Sequence, residues 1–440
     1  MESNVRQLLA DKISGTLTGQ FLLIPEFLRL GVHDLLQGLF NKSRNAYLST
    51  RLGLQLINES ALCVNGIRKA RSLSQKGFEI ANGLPYIVSD VDVYRTFESI
   101  PVEKIIELQI AFGKIRRAAG HYKGQTIAID PHRIISRSKR QMERKKVHNE
   151  PQPVKTSQLF FAIDAETKNA ICFTQSTSSM TVTKAMPNLL KTTREILYDH
   201  NEVENKMLIL ADSEHFTKEN YFNAKNSNWY DLLTPMPAQK YYKKMLKELP
   251  DESFTQNWPG YATTTIPFYF KDNKSQQLYY FGQREGLKRS EYDFSGFLCS
   301  ADRNEVEALT MNFPDRWHIE EFFKKYQDLG WRKAGTQNLN IRYGKATMAL
   351  IAQAGLFQLQ KRLGEPFANW DAQHMADSFF RGLDGDIRVK GDELIITYYN
   401  AQALSKIKEE LENVSAVLEG EGIDPRIPWL YDYKLRFRFR

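Results

Sequence analysis

The short run from Lys206 to Asp212 constrains the fold of this chain more than any other segment. Five apolar residues, Met207-Leu-Ile-Leu-Ala211, stand in succession and an aspartate follows them. A strand that is buried on both faces of a sheet requires an unbroken apolar run of this kind. Because ligands of open α/β sheets lie outside the carboxyl ends of the strands, Asp212 is predicted to border a binding crevice.

A second aspartate has a similar neighbourhood. The segment Gln125-Thr-Ile-Ala-Ile-Asp130 also indicates a strand that ends in an acid. If the two strands are neighbours, Asp130 and Asp212 face one crevice, where close like charges raise the pKa of one carboxyl unless a cation is bound. The two acids therefore predict a divalent-metal site.

Glu320 is the third candidate carboxylate and stands at the head of a helix-like segment. At about 100° per residue, one stripe of this segment is apolar and a second stripe beside it is mostly polar. The apolar stripe contains Ile319, Phe322, Phe323 and Tyr326, and the second contains Phe313, Arg316, Glu320, Lys324 and Gln327. Glu321 points away from both stripes, so Glu320 is predicted to be the acid that joins the site. Arg316 and Lys324 are then placed to meet phosphates.

A basic run follows Asp130. Seven bases and one acid lie between residues 133 and 146, and the bases are Arg133, Arg137, Lys139, Arg140, Arg144, Lys145 and Lys146. A loop with this charge beside a metal ligand predicts sequence-independent contact with a DNA backbone through Arg133, Arg137, Lys139 and Arg140. The alternative is a solvated surface loop, which is the more common role of basic stretches.

Residues 125 to 363 resemble the catalytic core of insertion-sequence DDE transposases, in the class with a tyrosine, arginine, glutamate, lysine signature around its third acid. That signature places tyrosine seven residues before the glutamate, arginine four before and lysine seven after, at the positions of Phe313, Arg316, Glu320 and Gln327 here. The arginine and the glutamate match, whereas phenylalanine and glutamine replace the tyrosine and the lysine. The segment from Arg316 to Lys324 is also similar to the form found in this family.

The resemblance implies an α/β fold with a ribonuclease-H-like mixed sheet that is flanked by helices and interrupted by a β-rich insertion, together with a helical N-terminal domain. It implies two Mg²⁺ ions, replaceable by Mn²⁺, on Asp130, Asp212 and Glu320. The implied partners are double-stranded DNA, as terminal inverted repeats and target DNA, and a second copy of the chain. The implied chemistry is strand cleavage by water and attack of the freed 3′-hydroxyl on target DNA. Two ions about 3.5–4 Å apart can drive such a displacement without a nucleophilic side chain.

Five segments are predicted along the chain, each from a change in its residue pattern. They are a helical region at 1–120, a first part of the catalytic core at 121–235, a β-rich insertion at 236–312, a second part of the core at 313–365 and a C-terminal region at 366–440. The first segment is predicted to recognise DNA ends, with a structural helical cap as the alternative. The last is assigned to dimer contact by elimination.

Several local patterns carry their own expectations. The residues around Asp164 to Asn169 indicate a hairpin, in which Asp164 is a rival first carboxylate, although turn aspartates are more often structural. Residues 181 to 198 and 346 to 363 indicate helices. The tail from Lys434 to Arg440 alternates bases with apolar residues, which predicts a frayed terminus or an edge strand, with phosphate contact as the alternative.

Composition excludes several classes of protein. The formal net charge of +8 favours a polyanionic partner, and the three cysteines have no spacing typical of a zinc site or a disulfide framework. The most apolar stretch carries charges, so no membrane partner is predicted. We therefore expect a cytoplasmic protein, and the resemblance implies a bacterial one associated with the nucleoid.

The residues leave three functions open. The first is a DDE transposase that cuts and rejoins the ends of its own insertion sequence. The second is a catalytically inactive, transposase-derived DNA-binding protein, which the replacement of the signature tyrosine and lysine favours. The third is a metal-dependent nuclease without strand transfer, because the same three acids would support it.

Overall fold

The computed structural model describes residues 1–64, 73, 75–136, 139, 141–147, 150–198, 205–271, 273–333, 336–401 and 404–440. The helices are α1 Glu2–Ala10, α2 Ile24–Arg29, α3 Val32–Phe40, α4 Ala46–Ala61, α5 Lys76–Ala81, α6 Asp90–Glu98, α7 Val102–Ala118, α8 Val182–Leu197, α9 Lys218–Asn226, α10 Lys240–Lys247, α11 Glu305–Glu307, α12 His318–Tyr326, α13 Leu339–Leu363, α14 Ala372–Met375, α15 Leu404–Leu411 and α16 Val414–Gly420. The strands are β1 Ile13–Gly15, β2 Thr126–Ile135, β3 Arg144–Lys145, β4 Val154–Asp164, β5 Asn169–Thr177, β6 Met207–Leu210, β7 Tyr230–Pro235, β8 Thr255–Trp258, β9 Tyr261–Phe270, β10 Asn273–Glu285, β11 Asp293–Cys299, β12 Gly385–Lys390, β13 Glu393–Tyr398, β14 Arg426–Ile427 and β15 Tyr433–Phe439.

The chain forms two compact units. The first contains residues 1–119, 134–140 and 323–440, and the second contains residues 120–133 and 141–322. Each unit has its own sheet and helices, so the prediction of a mixed α/β fold is confirmed. The finer division into five segments stays a prediction.

The sheet of the second unit has a parallel centre. Its strand order is β3-β4-β2-β6-β7-β11-β10-β9-β8, and β5 pairs with β4 as the second strand of the predicted hairpin. Strand β6 is parallel to both β2 and β7. All four residues of β6 are buried, as the apolar run predicts. Helix α8 connects the hairpin to β6 and begins at Thr181, whose side chain accepts a hydrogen bond from the Lys184 N–H (3.3 Å).

The strands between residues 255 and 299 extend the same sheet. Strand β11 pairs antiparallel with β7, and β10, β9 and β8 follow it in an antiparallel meander. Helix α10 packs on this part of the sheet through Leu246, which would collide with a side chain at Gly282 (2.5 Å to an added Cβ). The sequence analysis assigned this stretch to the β-rich insertion and did not predict α10, although Tyr242, Met245 and Leu246 have helical spacing.

The first unit contains a five-stranded sheet with the order β1-β12-β13-β15-β14. The C-terminal strand β15 is parallel to β13 and pairs with it along six residues, from Lys434 to Phe439. The predicted frayed terminus is therefore wrong, because Leu435, Phe437 and Phe439 are buried and hold the tail in the sheet. Strand β14 covers only the beginning of β15.

Helix α13 is the longest helix of the first unit and packs against α4 and α7. It is buried on nearly all sides, as its apolar sequence predicts, and it ends at Gly364, whose φ of 63° suits glycine. Among the described residues, no helix is both long and apolar enough to cross a membrane.

Candidate functional site

The register between β2 and β6 brings Asp130 and Asp212 side by side. The last paired residues of the two strands are Ala128 and Leu210. Each aspartate stands two residues further along the chain. Because the strands are parallel, both side chains reach the same carboxyl edge of the sheet.

Asp130 does not end its strand, contrary to the prediction from the apolar run. Strand β2 continues to Ile135, because the eleven-residue β4 remains its neighbour after the four-residue β6 has ended. Near the far end of β2, Nε of Arg133 donates a hydrogen bond to Oε1 of Gln158 in β4 (3.4 Å). Asp130 therefore stands at the point where β2 separates from β6.

The electrostatic surroundings of Asp130 oppose its ionisation. Its burial, and second the negative charge of Asp212, raise the pKa of Asp130 to about 8, while Arg316 and Arg133 act in the opposite direction. Within the described part of the chain, no hydrogen-bond donor reaches this carboxyl group. Asp130 is thus a half-buried acid whose charge is not satisfied by the protein.

Asp212 is held by its own loop. Its side chain accepts hydrogen bonds from the backbone N–H of Glu214 (3.0 Å) and from Nδ1 of the buried His215 (2.9 Å). Burial alone would raise the pKa of Asp212, but the hydrogen bond and charge of His215, with the Glu214 N–H, lower it. The His215 carbonyl accepts in turn from Nδ2 of the buried Asn220 (3.0 Å). Asp212 is therefore the ionised member of the pair, in a fixed orientation.

Glu320 is connected to the two aspartates through Arg316, which interacts with all three acids. Nη2 of Arg316 donates to Oε1 of Glu320 (3.3 Å), and the charge of Arg316 lowers the pKa of both Asp130 and Asp212. The Arg316 side chain is 17% exposed, so it lies among the acids and not in bulk solvent. The stretch from Phe313 to Trp317 is a 3₁₀ helix and α12 begins at His318, so the predicted stripe angles hold only from that residue onward.

Helix α12 is fixed by contacts within the second unit. The Phe322 ring packs against Phe161 of β4 (5.8 Å between centroids), and Nδ1 of His318 donates to the Ala165 carbonyl (2.6 Å). Glu321 forms an ion pair with Lys168 (2.7 Å), as expected for the acid that points away from the site. All four residues of the predicted apolar stripe are buried.

The position of the signature tyrosine has a packing role here. Phe313 packs edge-on against Phe297 of β11 (4.7 Å between ring centroids). It borders an apolar cluster that includes Leu208 and Leu210 of β6. Phe313 therefore ties the segment that carries Arg316 and Glu320 to the strand that precedes Asp212.

Of the three predicted metal ligands, Asp130 and Asp212 form a pair and Glu320 is separate from it. Among the residues that the structure describes, no three His, Cys, Asp or Glu side chains are grouped so that they could hold a metal ion. Asp130 and Asp212 interact with each other, and Arg316 stands between them and Glu320. The three-carboxylate site stays a prediction.

The predicted DNA-binding bases have different surroundings. Arg133 forms an ion pair with Glu214 and is only 19% exposed, so its guanidinium is already engaged. Lys139 and Lys324 are exposed, the latter on α12. Arg137 and Arg140 lie outside the described residues.

Asp164, the rival first carboxylate, has a complete set of partners. It is fully buried and accepts hydrogen bonds from the backbone N–H groups of Lys123 (2.7 Å), Gly124 (2.7 Å) and Thr167 (2.8 Å), and from the Thr167 hydroxyl (3.0 Å). Four donors on one carboxylate leave no place for a metal, so Asp164 closes the hairpin turn.

Two residues that the sequence analysis does not single out surround the aspartate pair. His215 orients Asp212, and Glu214 pairs with Arg133. The spacing in Asp212-Ser-Glu-His215 carries the signal, because a turn after the aspartate returns the third residue to it.

No family model and no curated protein matches this chain. Among solved structures, the chain is similar to the piggyBac transposase in a synaptic complex with hairpin DNA, determined by cryo-electron microscopy. The TM-score is 0.41 and the sequence identity is 13%, over 75% of this chain and 69% of that one. A similarity this distant assigns neither a fold family nor a function.

Proposed function

We propose that this chain is a DDE transposase, an enzyme that cuts DNA at the ends of its own insertion sequence and rejoins them elsewhere. The observation that carries the proposal is the pair of Asp130 and Asp212 at one carboxyl edge, where burial and the neighbouring charge raise the pKa of Asp130 to about 8. When both carboxyl groups of such a pair are ionised they repel each other, and a bound divalent cation would offset this repulsion.

The topology of the second unit supports a ribonuclease-H-like core for this enzyme. Strand β2 has the hairpin of β4 and β5 on one side and the parallel strands β6 and β7 on the other. Asp130 lies within β2 and Asp212 follows β6, the central strands of this mixed sheet, and α12 carries the third acid. The strands of the β-rich insertion lie in the chain between Asp212 and Glu320, as the resemblance implies.

Asp130, Asp212 and Glu320 are the residues that would hold two Mg²⁺ or Mn²⁺ ions. Their carboxylate oxygens are the ligands that these ions prefer, with substrate oxygens and water completing the coordination. When bound, such ions supply Lewis-acid activation of the attacking oxygen and charge stabilisation of the leaving oxygen. His215 keeps one oxygen of Asp212 engaged, so it fixes the direction of the other.

Arg316 has two roles in this proposal. In the protein alone it neutralises Glu320 (3.3 Å), which keeps that acid near the aspartate pair. Its guanidinium carries five donors in a plane, which suits bidentate binding of a phosphate once Glu320 has another partner. Lys139 and Lys324 add exposed charge for the DNA backbone. Two protomers on two DNA ends complete the proposed assembly.

A cleavage assay tests the proposal. Purified protein is incubated with Mg²⁺ and a labelled duplex that carries the terminal repeats of the element, together with unlabelled target DNA. Cleavage with joining supports transposition, cleavage without joining supports the nuclease, and retention without cleavage supports the inactive DNA-binding protein. Chelation of the metal by EDTA is expected to stop cleavage.

The acids provide the second part of the test. Replacement of Glu320 by Gln keeps the size of the side chain and removes its charge, so cleavage is expected to stop while DNA binding remains. Glu321→Gln is the matched control, because Glu321 is the next residue of α12 and pairs with Lys168. Equal activity of the two variants would remove Glu320 from the site.

A further inference from the structure

One face of the five-stranded sheet carries a surface of cations that the catalytic proposal does not use. The bases Lys434, Arg436 and Arg438 of β15, and Arg440 directly after it, alternate with buried apolar residues. A strand directs alternate side chains to opposite faces, so all four bases point to one face, about 7 Å apart. The same face receives Arg388 and Lys390 from β12.

The register shows how these cations are arranged across the sheet. Arg388 and Arg436 flank Ile395 of β13, and Lys390 and Lys434 flank Glu393. Ile395 is fully buried although it belongs to this outer face, as expected when the aliphatic parts of neighbouring arginines cover it. The guanidinium and ammonium groups therefore form an outer layer above a central apolar strand.

Acids neutralise only part of this layer. Lys434 pairs with Glu419 (2.6 Å), Arg436 pairs with Glu393 (3.0 Å) and Lys12 pairs with Asp386 (2.6 Å). In the described part of the chain, no hydrogen bond or ion pair engages the side chains of four further cations. These are Arg388, Lys390, Arg438 and Arg440. The surface therefore keeps an excess of unpaired positive charge.

Protection of a sheet edge is the alternative role for these cations. Charged residues commonly shield edge strands from pairing with other chains. Strand β14 pairs only with residues 433 and 434 of β15, and β1 pairs only with residues 385–387 of β12. The arginines of β15, and Arg388 and Lys390 of β12, therefore stand where the neighbouring strand has ended, and a test of DNA binding separates the two roles.

We propose that this face of the five-stranded sheet binds the phosphate backbone of double-stranded DNA. The surface presents a broad row of cations, and each DNA strand offers a negative charge about every 3.4 Å of helix axis. Contacts of this kind position a protein on DNA without reading its sequence. The proposal concerns DNA binding alone, so it stands or fails independently of the cleavage chemistry.

The test compares two triple variants of the full chain that lose the same charge. The face variant is Arg388→Gln/Arg438→Gln/Arg440→Gln. The control variant is Arg6→Gln/Lys104→Gln/Lys408→Gln, which removes exposed cations of the same unit that already pair with acids. Affinity for a fluorescent duplex of unrelated sequence is measured by anisotropy between 50 and 200 mM salt.

The face variant is expected to bind DNA about tenfold or more weakly than the control, and its slope of log K against log salt should fall by about 2 to 3. Equal slopes for the two variants would overturn the proposal. Polyglutamate serves as a second probe. Loss of polyglutamate binding with intact DNA binding would also overturn it, in favour of an acidic protein partner.

A footprint on the unmodified protein removes any dependence on how the variants fold. Arginines are modified with phenylglyoxal in the presence and absence of DNA, and the modified positions are read by mass spectrometry. DNA is expected to protect Arg438 and Arg440 at least fivefold, while Arg6 of α1 is modified equally in both samples. Equal modification of Arg438 and Arg440 with and without DNA would contradict the proposed surface.

Discussion

Two aspartates, one in each sheet, have opposite surroundings. Asp386 of the five-stranded sheet accepts from the Ser14 hydroxyl (2.5 Å) and the Tyr399 hydroxyl and pairs with Lys12 (2.6 Å). Burial alone would raise the pKa of Asp386, but these partners lower it to about 2. Asp130 of the ten-stranded sheet has a second acid as its neighbour, and its pKa is raised to about 8. The donors around Asp386 satisfy its carboxylate within the protein, whereas the surroundings of Asp130 oppose its ionisation.

The largest expected difference appears when each aspartate is replaced by asparagine. Asp130→Asn should lower DNA cleavage by more than about 100-fold, because a lost ligand costs more than a lost outer-sphere partner. It should not destabilise the protein at pH 8, since it removes a charge that burial and Asp212 oppose. Asp386→Asn should leave single-turnover cleavage unchanged and lower the free energy of unfolding by about 1–3 kcal/mol.

Cleavage rates at saturating DNA and urea unfolding at pH 8 measure both effects. The comparison fails if Asp130→Asn destabilises the protein as much as Asp386→Asn and leaves cleavage intact. Asp130 would then be a structural acid.

Asp164 extends the comparison, because donors of the protein satisfy its carboxylate as they satisfy that of Asp386. It lies in the ten-stranded sheet, yet four donors surround it. Asp164→Ala leaves these buried donors without an acceptor, so the free energy of unfolding should fall by about 3 kcal/mol or more. Asp164→Asn keeps one carbonyl oxygen and should lose less. Urea unfolding of the two variants decides the point, and an unaffected Asp164→Ala variant would contradict the structural role.

The sequence predicted the strands that carry or precede the two acids better than it predicted the electrostatic surroundings of these acids. The apolar run before Asp212 and the shorter one before Asp130 were enough to place two strands and their acids, because the pattern of buried strands is local. The length of β2 was not predictable in this way, since it depends on β4 as a neighbour. The partners of Arg133 and Arg316 also depend on side-chain packing, which no local pattern encodes.

The surroundings of Asp386 could not be predicted from the sequence either. Its three partners are Lys12, Ser14 and Tyr399, and the first two stand more than 370 positions earlier in the chain. Nothing in the residues next to Asp386 distinguishes it from an exposed aspartate. Only the pairing of β1 with β12 brings the donors to it. The donors that satisfy a buried carboxylate are thus brought to it by the fold.

The pH dependence of stability gives a smaller and more direct test. Because folding raises the pKa of Asp130 from 3.8 to about 8, its proton stabilises the folded state, and this contribution is lost as the pH rises between these values. The metal-free protein should therefore lose thermal stability between pH 6 and pH 9, and Asp130→Asn should lose less. Mg²⁺ should restore stability at pH 9 in the unmodified protein and not in the variant.

The same melting curves with Asp386→Asn provide the control. This variant keeps Asp130 and Asp212, so its decline between pH 6 and pH 9 should match that of the unmodified protein. If Asp130→Asn and the unmodified protein decline in parallel, Asp130 does not carry the raised pKa.

The smallest expected effect is that of replacing Lys12, which forms an ion pair with Asp386. Lys12→Met keeps the apolar stem and removes the charge, and because the Lys12 side chain is 58% exposed, the free energy of unfolding should fall only slightly. Since folding lowers the pKa of Asp386 from 3.8 to about 2, this contribution is present above about pH 4 and is lost as the pH falls between these values. The difference between Lys12→Met and the unmodified protein, measured by urea unfolding from pH 6 down to pH 3, should narrow below pH 4. If the difference in the free energy of unfolding stays constant, Lys12 stabilises the sheet by packing. The hydroxyls of Ser14 and Tyr399 would then be sufficient partners for the Asp386 carboxylate.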